Sequence, residues 1–96
     1  MKAKLTDAYV EARIRRETKR AIGAEVVRFK VSPARRGERS RRVVIAWRRA
    51  KGDTGVEWGT HSGTVKCDYS ARIHWGHYGL QSEEEAGRDF DSRVVI

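Results

Sequence analysis

The sequence is poor in cysteine and in long apolar runs, and each shortage excludes a class of protein. Cys67 is its single cysteine, so no disulfide can form within the chain, and a reducing, cytoplasmic location is expected. No stretch approaches the ~18 consecutive apolar residues of a membrane-spanning helix. The first residues lack the apolar middle of a signal peptide. We therefore expect a protein that has no membrane partner.

Acidic residues are scarce in the first half of the chain. Residues 1–51 hold 17 of the 21 Lys and Arg residues but 5 of the 13 Asp and Glu residues, a net charge of +12, whereas residues 52–96 carry −4. A field polarised in this way attracts polyanions over about a Debye length. Arginine outnumbers lysine, and its guanidinium fork suits phosphate oxygens.

Two segments of alternating apolar residues flank an arginine-crowded link at residues 32–42. The segments are Val26–Val31 and Val43–Arg49, and with the link they predict a β-hairpin that has a cationic tip. In the first strand, Val27 is expected on the same face as Phe29 and Val31. The second strand is apolar on both faces, which indicates a central position in a sheet.

The first 23 residues predict a basic helix. Thr6 or Asp7 is a suitable N-cap, the helix is expected to run to about Ala21, and Gly23 fits a C-terminal stop. The stripe expected to be buried comprises Val10, Ile14 and Ala21. A solvated charged face is the simplest interpretation of its arginines, with phosphate contact as the alternative.

The segment from residue 56 to residue 79 predicts two strands and two turns. Val56–Trp58 fits a short strand, and a turn is expected around Ser62–Gly63. From Thr64 to Trp75 the alternation predicts one half-buried strand, and a bend follows at 76–79. Its buried face would comprise Val65, Cys67, Tyr69, Ala71, Ile73 and Trp75. Burial is also expected for the aromatic rings of Trp47 and Phe90.

The last helix is predicted at residues 81–94 and is acidic at its start. Ser82 and Glu85 have the spacing of a capping box, and Ala86, Phe90 and Val94 form an apolar stripe. The sequence thus predicts a single α+β domain ordered α-β-β-(β)-β-α. Its antiparallel sheet, residues 24–76, would have three to four strands, with both helices packed on one face.

The best candidate site is the arginine-rich link, because its guanidiniums repel one another unless an anion is bound. We predict binding of nucleic acid, DNA or RNA, through backbone phosphates. The predicted contact residues are Arg28, Lys30, Arg35, Arg36, Arg39, Arg41, Arg42, Arg48 and Arg49. A merely solubilising loop is the simpler alternative. A second hypothesis is an inhibitor of a host factor or defence complex that acts by protein–protein contact, and a homodimer is a further alternative.

Other residue groups give weaker signals. His61, Cys67, His74 and His77 invite a zinc interpretation, but Cys67 and His74 would project to opposite faces of a regular strand. Asp53-Thr54-Gly55 matches the tripeptide of retroviral-type aspartic proteases, although a turn is favoured. A nuclease-like site could combine Asp68, His74, His77 and Tyr78. We predict no catalytic residue, metal or cofactor.

Two resemblances to known families add expectations. Residues 76–80, with Glu84-Glu85-Ala86, Asp89-Phe90 and Arg93, resemble the tail of small uncharacterised phage and mobile-element proteins, which implies provenance rather than activity. Separately, residues 5–7 and 29–33, with Gly76-x-Tyr78, Ser82 and Ala86, resemble the arm-binding domain of phage tyrosine integrases. That resemblance implies a three-stranded sheet plus a helix that binds DNA. The element order is also similar to that of double-stranded RNA-binding domains.

Overall fold

One helix precedes a four-stranded antiparallel sheet and a second helix follows it. The structure is a computed structural model and describes residues 5–33, 37, 39–68 and 70–94. The strands lie side by side in sequence order. The predicted α+β class and element order are confirmed. The elements are α1 (Asp7–Ile22), β1 (Glu25–Val31), β2 (Ser40–Lys51), β3 (Gly55–Lys66), β4 (Ala71–Leu80) and α2 (Glu83–Val94).

Helix α1 begins and ends where its capping residues predict. The Thr6 hydroxyl accepts a hydrogen bond from the Tyr9 amide at 3.2 Å. Gly23 adopts the left-handed region at φ 66°, and its amide donates to the Lys19 carbonyl at 3.0 Å. Both contacts satisfy backbone groups that a helix end leaves unpaired.

The buried stripe of α1 differs from the prediction at its last position. Val10 and Ile14 are buried as expected, but the third member is Thr18, and Ala21 is exposed. The Thr18 hydroxyl donates to the Ile14 carbonyl at 2.7 Å, so the polar group is satisfied within the helix. A threonine whose hydroxyl is hydrogen-bonded to the backbone of its own helix can therefore occupy a buried position in an apolar stripe.

Helix α2 has the predicted capping box. The Glu85 amide donates to the Ser82 hydroxyl at 3.1 Å, and the Glu85 carboxylate accepts from the Gln81 amide at 2.9 Å. Ala86 and Phe90 are buried, and Val94 packs beside them, so the predicted apolar stripe is confirmed.

The prediction that both helices pack on one face of the sheet is wrong. Val43, Ile45 and Trp47 of β2 form a core with α1, whereas Ala46 and the half-buried Val44 pack against α2. Alternate residues of a strand project to opposite faces, so the two helices cover opposite faces. We call the face that α1 covers the α1 face and the face that α2 covers the α2 face. The two-sided apolar pattern of β2 reflects its central position between β1 and β3.

A bulge in β1 reverses the predicted facing of its first residues. Val26 pairs with Trp47 and Arg28 pairs with Ala46, so the register shifts at Val27. Val26 is consequently buried, while Val27 is 37% exposed rather than on the inner face. A single extra residue in a strand is sufficient to change which face every preceding side chain occupies.

The predicted strand from Thr64 to Trp75 is wrong because a turn divides it. β3 ends at Lys66 and β4 begins at Ala71. The Asp68 carboxylate accepts from the Ser70 amide at 3.0 Å and holds the turn. Val65 and Ala71 are direct register partners, so both side chains occupy the same face, as they would six residues apart in one strand. Alternation alone cannot distinguish these two arrangements.

The turn predicted around Ser62–Gly63 is also wrong, since β3 continues through it. A Cβ on Gly63 would lie 2.8 Å from the Arg72 carbonyl oxygen and 3.1 Å from Ile14 Cδ1. The glycine therefore permits close approach of α1 to the sheet rather than a change of direction. Residues 76–79, predicted as a bend, belong to β4. The turn at Asp53-Thr54-Gly55 is confirmed, because residues 52–54 link β2 to β3.

Within the part of the chain that the structure describes, neither α1 nor α2 combines the length and apolar character that a membrane crossing requires.

Candidate nucleic-acid interface

The arginines of the link do not share one surface. Arg35 and Arg36 lie outside the described residues, and Arg39 is exposed. Arg41 pairs with Val65 and Arg42 pairs with Thr64 in the sheet register. Because Val65 belongs to the α1 core, Arg41 lies on the α1 face and Arg42 on the α2 face.

Arg41 is a structural residue, which corrects the prediction that it contacts phosphate. Only 4% of it is exposed. Its guanidinium donates to the Leu5 carbonyl at 2.6 Å, to the Asp7 carboxylate at 2.9 Å and to the Ser32 carbonyl at 3.0 Å. These bonds tie the start of α1 to the end of β1, and they leave the guanidinium buried and already paired.

Two further predicted residues are engaged within the protein. Arg28 lies 3.7 Å from the Asp91 carboxylate of α2. Arg49 donates to the Glu57 carboxylate at 3.0 Å and to the Ile22 carbonyl at 2.9 Å. Arg48 is exposed but pairs with Trp58, near the opposite end of β2 from the arginine-rich link.

The remaining predicted residues, Lys30 and Arg42, belong to a surface to which all four strands contribute. Lys30 pairs with Val44, which pairs with Ser62 and through it with His74. In the next row Arg42 pairs with Thr64, and Thr64 pairs with Arg72. We call this surface the cationic platform. It comprises Lys30, Arg42, Thr64, Lys66, Arg72 and His74.

Two surface depressions make up the platform. Thr64, Lys66, Ser70, Arg72 and His74 line one depression of about 460 Å³. A second depression of about 250 Å³ includes Lys30, Arg42 and Arg93 in its lining. Arg42 lines one depression and its register partner Thr64 lines the other, so the two depressions adjoin.

The lysines and arginines of the platform form no salt bridge within the described part of the chain. Lys30, Arg42, Lys66 and Arg72 are exposed, and none is within an ion pair among the described residues. Asp68 lies at the margin, where hydrogen bonds from Ser70 and then the charge of Lys66 lower the pKa of its carboxyl. Asp68 therefore offsets part of the charge of Lys66, and the remaining positive side chains of the platform repel one another.

The acidic start of α2 lies away from the platform. Helix α2 follows β4 at Leu80, which pairs with Trp58, and its other end reaches Val94 beside the second depression. Glu83, Glu84 and Glu85 thus lie toward the far end of the α2 face. The C-terminal end of a helix dipole is partly negative, so anion attraction here comes from side chains.

Sequence reasoning missed Lys66, Arg72 and His74 as members of the site. The alternation from Thr64 onward did place all three on the face opposite Val65 and Ile73. It did not show that this face continues into Lys30 and Arg42, because strand order and register are set by long-range pairing.

The structure separates the residues of the nuclease-like hypothesis. His77 on the α2 face bonds the Asp89 carboxylate at 2.9 Å, while the ring of Tyr78 packs edge-on against His61, with 5.0 Å between centroids. Asp68 lies in the β3–β4 turn. Burial by itself raises the pKa of the Asp89 carboxyl, but hydrogen bonds from Thr60, His77 and Arg93 outweigh it and lower the pKa.

His61 is a core histidine of the α1 face. The Trp47 indole N–H donates to His61 Nδ1 at 2.8 Å. Burial, assisted by the charges of Arg93 and Arg49, lowers the pKa of His61 to about 4. No group of three or more His, Cys, Asp and Glu side chains within the described ranges is placed to share a metal ion.

The aromatic side chains divide between core and surface. Burial of Trp47 and Phe90 is confirmed, and Tyr69 lies outside the described residues. The predicted burial of Trp75 is wrong, because Trp75 is 82% exposed.

Comparisons of the chain with protein-family models, with curated proteins and with solved structures find no match.

Proposed function

We propose that this protein binds nucleic acid through backbone phosphates, with the cationic platform as the contact surface. The observation that carries the proposal is that four exposed cations, one from each strand, share one surface and form no ion pair with any described residue. Each phosphate that they neutralise would release about one condensed counterion. The release of these counterions makes a favourable contribution to the free energy of binding.

The dimensions of the platform suit a nucleic-acid backbone. From Lys30 on β1 to His74 on β4 the surface spans three interstrand steps, or about 14 Å. Duplex DNA carries one phosphate per roughly 1.7 Å of axis, or about eight phosphates over this length. Several phosphates are therefore within reach of the platform and of the neighbouring Arg39.

The outer surface of α1 supports the proposal less well. Arg15 donates to Glu11 at 2.8 Å and Arg20 donates to Glu17 at 2.8 Å. These exposed i,i+4 and i,i+3 pairs offset part of the positive charge of the helix. Backbone contacts alone carry no sequence information, so we propose binding that is independent of sequence.

A salt series with a matched control tests the proposal. Arg42→Gln with Lys66→Gln removes two charges from the platform, and Arg16→Gln with Lys19→Gln removes the same two residue types from exposed positions on α1. Losing two phosphate contacts should lower the slope of log K against log salt by about 1.8 on a duplex. The platform variant should lose at least about tenfold in affinity near 0.1 M salt, and the control less than about threefold.

Two outcomes would reject the proposal. One is an affinity that does not change with salt, and the other is an equal loss in both double variants. Failure to bind either a duplex or a single-stranded probe at low salt would instead favour the second hypothesis, in which the platform meets an acidic protein surface.

A further inference from the structure

We infer that Trp75 is a base-stacking residue, so that the platform binds single-stranded nucleic acid in preference to duplex. The inference rests on the proposed function and adds the class of ligand. It follows from the exposure of this indole and from its position on β4, next to His74 and three residues after Arg72.

Trp75 occupies a bulge in the edge strand β4. His61 pairs with Gly76 and Ser62 pairs with His74, so Trp75 has no register partner on β3. Its φ of 51° lies in the left-handed region, which a bulky residue rarely adopts. The ring is 82% exposed. An unfavourable backbone conformation together with an unburied indole contributes nothing to the stability of the isolated protein.

The bulge is held in place from α2. Arg93 donates to the Trp75 carbonyl at 2.6 Å, to the Ser62 hydroxyl at 3.1 Å and to the Asp89 carboxylate at 3.2 Å. On the other side, a Cβ on Gly76 would overlap the ring of His61. These contacts hold the backbone of the bulge in place on both sides of Trp75.

The surroundings of Trp75 favour a nucleobase as the partner of the ring. His74, the preceding residue, belongs to the platform and lies 3.1 Å from the Thr64 hydroxyl, and Arg72 lies two residues further back on the same strand. Exposed aromatic rings beside a cationic track are typical of single-strand binders, in which successive bases stack on the rings. Bases of a duplex are already stacked on one another, so an indole gains less from them.

Binding of a 15-nucleotide oligo(dT) and of a 15-base-pair duplex to three Trp75 variants tests the inference. Trp75→Phe keeps a stacking ring, Trp75→Leu keeps apolar bulk without one, and Trp75→Ala removes both. We expect a loss of about 5- to 150-fold in oligo(dT) affinity for the Leu and Ala variants, and a much smaller loss for Phe. Duplex affinity should change by less than about twofold. Circular dichroism and thermal unfolding establish that each variant is folded.

The outcomes distinguish this inference from the proposed function. If the platform variant loses affinity for both probes while Trp75→Ala binds oligo(dT) normally, the platform binds phosphate and the stacking role is rejected. Equal losses on both probes, or a Leu variant that binds like Phe, would reject stacking as well. If the wild-type protein binds neither probe, the proposed function fails and the inference fails with it.

Discussion

Arg41 and Arg42 are neighbours in the chain but have opposite environments. Arg41 is 4% exposed beneath the start of α1 and is paired with Asp7, whereas Arg42 is exposed on the α2 face. On the α1 face the Arg41 side chain is covered by Leu5 and Asp7 at the start of α1, whereas on the α2 face Arg42 stays exposed in a depression that Val94 of α2 also lines. The role of each arginine is therefore set by the helix above it and not by its own chemistry.

The largest effect that this comparison predicts is on stability. Arg41→Ala should lower the free energy of unfolding by about 3 to 4 kcal/mol, because it leaves the Leu5 and Ser32 carbonyls without their donor. Arg42→Ala should change it by no more than about 0.5 kcal/mol. Urea unfolding of both variants measures the difference. Similar stabilities would mean that Arg41 is not structural.

A second prediction concerns His61, the buried histidine of the α1 face. His61 has a folded pKa of about 4 and an unfolded pKa near 6.5, so only the unfolded chain binds its proton between these values. Stability should fall by about 2 to 3 kcal/mol as pH decreases from 6.5 to 4. Urea unfolding across this range measures the slope.

The matched control for this pH dependence is His61→Gln, which keeps an acceptor for the Trp47 indole. It should remove most of the slope between pH 6.5 and 4. The carboxyls of Asp89 and Glu57 have lowered pKa values, so their contributions begin to fall only near pH 5 and are lost mostly as pH decreases below their unfolded values of about 4. An unchanged slope in the variant would contradict the assignment to His61.

The smallest predicted effect concerns Trp75 in the bulge of β4. Trp75→Gly should raise the free energy of unfolding by up to about 1 kcal/mol, because glycine adopts a positive φ without a Cβ clash and the lost indole is largely exposed. Thermal unfolding checks the direction. A clear destabilisation would show that the ring packs against the fold.

Features governed by near neighbours in the chain were predictable from the sequence. The caps at Thr6, Gly23 and Ser82 are confirmed, as are the central position of β2 and the turn at residues 52–54. Each depends on contacts within a few residues or on the apolar pattern of one strand. The resemblances to phage proteins and to integrase arm-binding domains stay predictions.

Features governed by long-range packing were not predictable in the same way. The pattern from Thr64 to Trp75 fits one strand or a hairpin equally well, because Val65 and Ala71 share a face in both cases. The exposure of Trp75 depends on a bulge fixed by Arg93, 18 residues away in the chain. Nothing in the local sequence around Trp75 encodes that contact.

The sequence by itself determined the helix ends, the two-sided apolar pattern of β2 and the concentration of positive charge in residues 1–51. Only the tertiary structure decided which cations remain exposed and which are buried, and it added Lys66 and Arg72 to the site. The physical reason is that alternation assigns a side chain to one of two faces, whereas burial depends on whether a distant helix covers that face.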